Sequence, residues 1–212
     1  MSQHWNDAYQ SRGVEERSWT ESVPSTSLAL LDVLQVSPRE SLIDIGAGES
    51  PLVDHLLVRG FTDLSVLDIS SRALAVTRER VGSGHVEAFE ADVTDWQPSR
   101  AYDVWHDRAV LHFLSPDDAR RYARTLRDAL APGGAVVIGV FAPDGPASCS
   151  GLAVTRYDAE DLAALLGQEF ELVDQRRLRH RTPWGSEQSF QWIAARRLER
   201  ASRLSVSSGT EN

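Results

Sequence analysis

The chain contains no lysine. All 22 of its basic residues, in a length of 212, are arginine. That absence removes two chemistries: a lysine Schiff base, and the phosphate loop whose lysine reaches the β- and γ-phosphates. The arginine preference fits the codon bias of a GC-rich genome and suggests a bacterial source. Cysteine is nearly absent as well. With Cys149 alone, no internal disulfide can form, and a reducing cytoplasm is the expected compartment. Long hydrophobic runs are missing. The apolar stretches are of strand length, such as 135–140, far short of the ~20 residues of a membrane span, so no membrane association is expected. The start, Met1-Ser2-Gln3-His4-Trp5, lacks the charged patch and apolar run of a secretory signal. Positive charge is in deficit, with 31 acids against 22 arginines and a net charge of −9. No nucleic-acid partner is therefore expected, because neutralising phosphates takes a basic face. One stretch, 171–200, holds seven arginines against four acids, and it reads as a solvated strand edge. No metal site is expected.

What is present suits an α/β domain. Hydrophobic residues make up 42% of the chain, enough for a sizeable core. Strand and helix patterns alternate, the signature of a parallel sheet covered by helices. Ser41 to Ile45 reads as a first buried strand. Ser50 caps the next helix, with Pro51 at its first position and Gly60 at its end. Strands follow at Leu64–Leu67, Val86–Glu90, Tyr102–His106 and Ala135–Phe141. Helices start at Ser70, at the capping-box pattern Ser115-Pro116-Asp117-Asp118, and at Asp158. Pro132-Gly133-Gly134 is expected to turn into the fifth strand. Phe170–Arg176 and Ser189–Ala195 are two last strands, joined by a loop and so paired antiparallel. Residues 1–36 form a helical cap, 37–197 the main domain, and 198–212 a polar tail expected to be disordered.

Ligands of open α/β sheets bind at the carboxyl ends of strands, where strand order reverses. The first such turn here is Asp44-Ile45-Gly46-Ala47-Gly48-Glu49-Ser50. Gly46 and Gly48 allow a sharp turn and a close approach. A dinucleotide fingerprint asks for glycine or alanine at position 51, where this chain has Pro51. Asp44 stands two residues before Gly46. A carboxylate there suits a ligand with a sulfonium and a free amino group, and repels a pyrophosphate. Asp68 ends the second strand, placed to accept ribose hydroxyls. Asp92, in Glu90-Ala91-Asp92-Val93, follows the third strand and can accept from an adenine amino group.

These pieces, together with Leu130-Ala131-Pro132-Gly133-Gly134, resemble the class I S-adenosylmethionine-dependent methyltransferases over about residues 40–141. The resemblance implies a Rossmann-like three-layer sandwich around a seven-stranded, mostly parallel sheet with one antiparallel strand. It implies S-adenosylmethionine as cofactor, with Asp44, Gly46, Ala47 and Gly48 by the methionine part. Asp68 and Ile69 would lie by the ribose, and Asp92 and Val93 by the adenine. Ser50 departs from members that carry a third glycine there.

The acceptor side reads Trp105-His106-Asp107-Arg108-Ala109. This resembles the Asp-Arg-Gly/Ala segment of the thiopurine and small-molecule methyltransferase group, which implies that Asp107 and Arg108 sit near sulfur and acceptor; His106 beside them is a further candidate for the cofactor and catalytic site. His106 reads as a proton acceptor, its ordinary pKa of ~6.5 suiting that role, or as a core histidine. Arg108 orients an anionic acceptor or pairs with Asp107. His112 packs. Cys149, in the loop after the fifth strand, touches the acceptor or serves as a small buried hydrophobe. Trp184 reads as a packing lid between the last two strands. Trp5 and Tyr9 lie one helical turn apart and cover the cofactor, with Trp19 following in a loop. The expected acceptor is a small molecule, with a thiol favoured by the resemblance. A protein lysine and a catalytically silent domain are the alternatives.

Overall fold

The computed structural model describes residues 1–11, 13, 16–82 and 84–199. The tail beyond 199, expected to be disordered, lies outside them. The chain runs α1 (Ser2–Ser11), α2 (Ser25–Val33), β1 (Leu42–Ile45), α3 (Leu52–Val58), β2 (Leu64–Asp68), α4 (Ser71–Val81), β3 (Glu87–Glu90) and β4 (Tyr102–Arg108). It continues with a 3-10 turn (Leu111–Phe113), α5 (Pro116–Ala129), β5 (Leu130–Phe141), β6 (Ser148–Cys149), β7 (Leu152–Ala153), α6 (Ala159–Leu166), β8 (Phe170–Arg181) and β9 (Glu187–Arg197).

Seven strands form one sheet in the order β3-β2-β1-β4-β5-β9-β8. Pairings among the first five are parallel. β9 is antiparallel to both of its neighbours, so it alone runs against the rest. The predicted sheet is thus present. Its strand order reverses between β1 and β4, which opens a crevice at their carboxyl ends. β1 and β2 are buried along their whole length, as strands covered on both faces must be. Alternation sorts β5 onto two cores: Ala135 and Val137 pack with Leu30, Leu52 and Leu56 of α2 and α3, while Val136, Ile138 and Val140 pack with Tyr122, Leu126 and Leu162 of α5 and α6. Trp105 and Tyr122, both fully buried, are tied by an indole N–H to hydroxyl bond of 2.9 Å.

Several boundaries differ from expectation, each for a local reason. β4 extends through Arg108, so His106 and Asp107 lie within the strand. Pro132-Gly133-Gly134 does not precede a strand; it is a bulge inside one, because pairing jumps from Tyr102↔Leu130 to Val104↔Ala135. The β8–β9 hairpin is longer at both ends and closes over a turn in which Thr182 N–H donates to Ser186 O at 2.8 Å. Trp184 at that tip is 57% exposed, contrary to a packing lid. β6 and β7 are a small hairpin within the expected loop. The cap of α3 is Pro51, although Ser50 Oγ still accepts from Leu52 N–H at 3.2 Å. Ser115 accepts from Asp118 N–H but donates to the Asp118 carboxylate. The full reciprocal box occurs instead at Asp158 and Asp161. Arginine-rich β8 is an edge strand, as read.

Candidate active site

The turn after β1 is shaped by two glycines in left-handed backbone, Gly46 at φ 61° and Gly48 at φ 55°. A Cβ on Gly46 would fall 1.9 Å from Val110 Cγ2, and one on Gly48 2.1 Å from the Tyr9 hydroxyl. Both sites therefore need glycine for conformation and for space. The Gly46 and Ala47 N–H groups donate to Leu67 O at 2.6 and 3.2 Å, which binds this turn to β2.

The three acids stand at successive strand ends. Asp68 accepts from Gly48 N–H and Ser70 N–H, each at 2.8 Å, one on either oxygen. Burial pushes its carboxyl up to about 6, against the pull of those two hydrogen bonds. Asp92 Oδ1 accepts from Thr94 N–H and Oγ at 2.9 and 2.7 Å. Asp44 is buried at the base and lies 2.6 Å from His106 Nδ1, while His106 Nε2 is 2.8 Å from Ser27 Oγ on α2. Ser27, His106 and Asp44 have the spacing of a nucleophile triad. Ser27, however, is 1% exposed and is not among the residues lining the site cavity, so its hydroxyl is spent on His106 and the arrangement holds Asp44. A neutral imidazole fits it: Nδ1–H donates to Asp44, and Nε2 accepts from the serine hydroxyl.

These groups line a cavity of about 530 Å³, within the usual range of small-molecule sites. Its arginines are all taken by acids other than the three at the strand ends. Arg17 pairs with Glu49 at 2.6 Å, Arg80 with Asp54 at 2.8 Å, and Arg108 with Glu21 at 3.0 Å. Among the described residues, Asp44, Asp68 and Asp92 face the chamber with no arginine in an ion pair with them. That donor set accepts hydroxyl and amino donors and favours a cationic ligand, so the residues fit S-adenosylmethionine.

An aromatic roof closes the chamber. Trp5 meets Trp19 and Phe113 edge-on at centroid distances of 6.0 and 5.0 Å, and Tyr9 meets Trp19 at 6.1 Å. The roof is bolted down. Arg17 lies 4.8 Å over the Tyr9 ring and donates to Tyr9 O. Asn6 Oδ1 accepts from Ser70 Oγ at 2.7 Å. Burial drives the Tyr9 phenol far above its ordinary pKa, so it stays neutral.

Trp5, Tyr9, Asp44, Gly46, Ala47, Asp68, Ile69, Asp92, Val93, His106 and Arg108 all line this cavity. Gly48 contributes its amide from behind Asp68. Asp107 does not join them. Its fully buried carboxylate faces the opposite core and accepts from Val110 N–H at 2.9 Å and Leu111 N–H at 3.2 Å. Burial lifts it to about 6. Successive residues of a strand face opposite sides, so His106 and Arg108 point one way and Asp107 the other. Arg108 consequently pairs with Glu21 and donates to Trp19 O at 2.7 Å; it does not pair with Asp107. His112 is a core residue, as expected: Nδ1 accepts from Phe141 N–H, and burial pulls its pKa to about 3. Cys149 lines the cavity and packs on the core. Sequence reasoning missed Arg17, Glu21, Ser27 and Glu49. Their partners lie 32 to 87 positions away, and no local pattern marks them.

Residues 42–134 match the model of a family described as a methyltransferase domain. The chain is 34% identical over 141 residues to trans-aconitate 2-methyltransferase of Acidovorax ebreus (strain TPSY), covering 66% of this chain and 50% of that protein. It is 29% identical over 139 residues to the eEF1A lysine and N-terminal methyltransferase of Mus musculus, covering 63% and 19%. The chain thus matches half or less of the length of these relatives. Among solved structures, 1,6-didemethyltoxoflavin-N1-methyltransferase of Burkholderia thailandensis, with bound 1,6-didemethyltoxoflavin and S-adenosylhomocysteine, superposes with a TM-score of 0.69 at 22% identity, over 93% of this chain and 84% of that one. N-methyltransferase NodS of Bradyrhizobium japonicum WM9, in complex with S-adenosylhomocysteine, gives 0.70 at 19%, over 94% and 100%. The chain shares the fold of these solved structures, and its residues 42–134, which hold the glycine turn and the three acids, are similar to the methyltransferase-domain family.

Proposed function

We propose that the protein transfers a methyl group from S-adenosylmethionine to a small-molecule acceptor. The observation that carries this reading is an aromatic roof over three carboxylates that, among the described residues, have no arginine partner. Asp44 and the 46–48 turn hold the methionine part. Asp68 accepts both ribose hydroxyls, with Ile69 against the sugar, and Asp92 and Val93 hold the adenine. The bound cofactor supplies a methyl carbon activated by its sulfonium. Helix α1 and the strap through Trp19, within a cap spanning 1–36, exclude water from that carbon.

His106 acts by orienting Asp44. Its ring nitrogens are engaged by Asp44 and Ser27, so neither is offered directly to an acceptor. An acceptor that is nucleophilic without strong base assistance fits such a chamber, and a thiol, with a pKa near ~8.5, is one such class. Arg108 lies two residues further along β4, on the acceptor side.

The test is calorimetry with S-adenosylhomocysteine, followed by transfer of radiolabelled methyl groups to a panel of thiols, phenols and carboxylic acids. Binding that is lost in Asp68→Ala, with label on a small molecule, supports the reading. No binding, or unchanged affinity in that variant, sinks it. Label that appears only on protein, in the manner of the mouse relative's name, would replace the small acceptor with a lysine.

A further inference from the structure

A second cavity of about 360 Å³ lies on the other side of the strap that carries Trp19. Thr20, Glu21, Ser22 and Arg108 line both cavities, so the strap and one guanidinium form the wall between them. The two chambers differ in charge. The first presents carboxylates without arginine partners. The second presents Arg108, Arg179, His180 and Arg181 against a single lining acid, Glu21. Of these, Arg179 already has Glu187 at 2.8 Å.

Glu21 serves Arg108 and His180 with one oxygen. Its Oε1 accepts from Arg108 Nη2 at 3.0 Å and lies 3.2 Å from His180 Nδ1. Burial pushes this carboxyl up, but the His180 hydrogen bond and the Arg108 charge outweigh burial and hold it below the ordinary range. His180 Nε2 in turn lies 2.6 Å from Ser18 O, so the ring also holds the strap. Arg108 is only partly used. Nη1 donates to Trp19 O, the Phe190 ring stands 5.4 Å from the guanidinium carbon, and Nε is buried without a hydrogen-bond partner. Nε and Nη2 lie along one edge of the planar guanidinium, the edge that takes a carboxylate through two parallel hydrogen bonds. Glu21 engages one donor of that edge and leaves the other unmet. A desolvated, unpaired donor is a standing cost that a bidentate ligand removes.

We propose that this second cavity anchors a carboxylate group of the methyl acceptor on the Nε–Nη2 edge of Arg108, with Glu21 as an internal competitor for that edge. The inference rests on the methyltransferase reading and adds the acceptor class, a small carboxylic acid. Arg108 and His106 share one face of β4 at its carboxyl end. An acceptor anchored on Arg108 therefore lies against the wall of the chamber that holds Asp44.

The full chain, saturated with S-adenosylhomocysteine, is titrated with benzoate, cinnamate and succinate, each against its amide, and with inorganic phosphate. The acids are expected to bind at least tenfold more tightly than their amides. Glu21→Gln keeps an acceptor for Arg108 and removes the competing charge, so it is expected to tighten acid binding about tenfold while amide binding stays the same. Arg108→Gln is expected to abolish the preference for acids. Equal binding of acids and amides, or unchanged acid affinity in Glu21→Gln, overturns the inference even where Arg108→Gln fails to fold. Phosphate binding as tight as that of the acids overturns the carboxylate assignment. Failure of S-adenosylhomocysteine to bind, measured first, strikes the methyltransferase reading instead.

Discussion

His106 Nδ1 lies 2.6 Å from Asp44 Oδ1, and both side chains are buried. The two residues sit opposite each other in the β1–β4 register, so the pair spans the point where strand order reverses. A buried carboxylate that loses its partner is costly, roughly 1–3 kcal/mol or more for a charged group. His106→Ala is therefore expected to weaken S-adenosylhomocysteine binding about tenfold or more, in parallel with turnover. His106→Gln, which keeps a donor, recovers part of the loss. Calorimetry beside steady-state kinetics decides. A variant with normal affinity and lost turnover would make His106 a base in the reaction.

Asp68 gives the site a pH dependence. A carboxyl with an unfolded pKa of ~3.9 is held at about 6 by burial. Its raised folded pKa makes ionisation cost stability as pH rises from ~4 to about 6. Ligand binding runs the other way, because two ribose hydroxyls need a carboxylate that accepts from both. S-Adenosylhomocysteine affinity is expected to rise as pH passes about 6 and to level off by pH ~7. Asp68→Asn is expected to bind weakly and without that step. A flat wild-type profile between pH 5 and 8 would remove Asp68 from the ribose.

Legibility followed sequence distance. The turn at 44–50, the acids at 68 and 92 and the alternation of strands and helices were readable because each sits in a local pattern: buried strand, glycine turn, helix cap. Asp107 was misplaced because the Asp107-Arg108 motif names residues and not faces. Extending β4 by two residues sends Asp107 into the α5 core and Arg108 to the cavity. The Arg108–Glu21 pair joins positions 87 apart in sequence. Glu21 lies on an irregular strap, where no periodicity shows which way a side chain points. The bulge at Gly133 reads in sequence as a turn, since the same left-handed glycine serves both.

The roof and the turn are coupled through Gly48. Its φ of 55° costs an alanine about 1–2 kcal/mol, and the added methyl would meet the Tyr9 hydroxyl at 2.1 Å. Gly48→Ala is expected to lower Tm and to weaken S-adenosylhomocysteine binding more than tenfold by displacing α1. Removing the phenol in Gly48→Ala/Tyr9→Ala relieves the clash but not the backbone strain, so the two effects are expected to be non-additive. A double-mutant cycle in Tm reads this out. Strict additivity would show that Tyr9 does not rest on the turn.

Asp107 separates structure from chemistry. Its carboxylate accepts two amides at the 3-10 turn, from Val110 and Leu111. Removing it leaves those buried donors unmet at ~1–3 kcal/mol. Asp107→Ala is thus expected to lose several degrees in Tm. Its folded fraction should keep S-adenosylhomocysteine affinity, because the side chain lies outside the cavity lining. Asp107→Asn keeps one acceptor oxygen and is expected to fall between. Thermal melts paired with calorimetry at a temperature well below the variant's Tm separate the two effects. A variant that melts normally but no longer turns over would return Asp107 to the reacting atoms and require a different conformation of the end of β4.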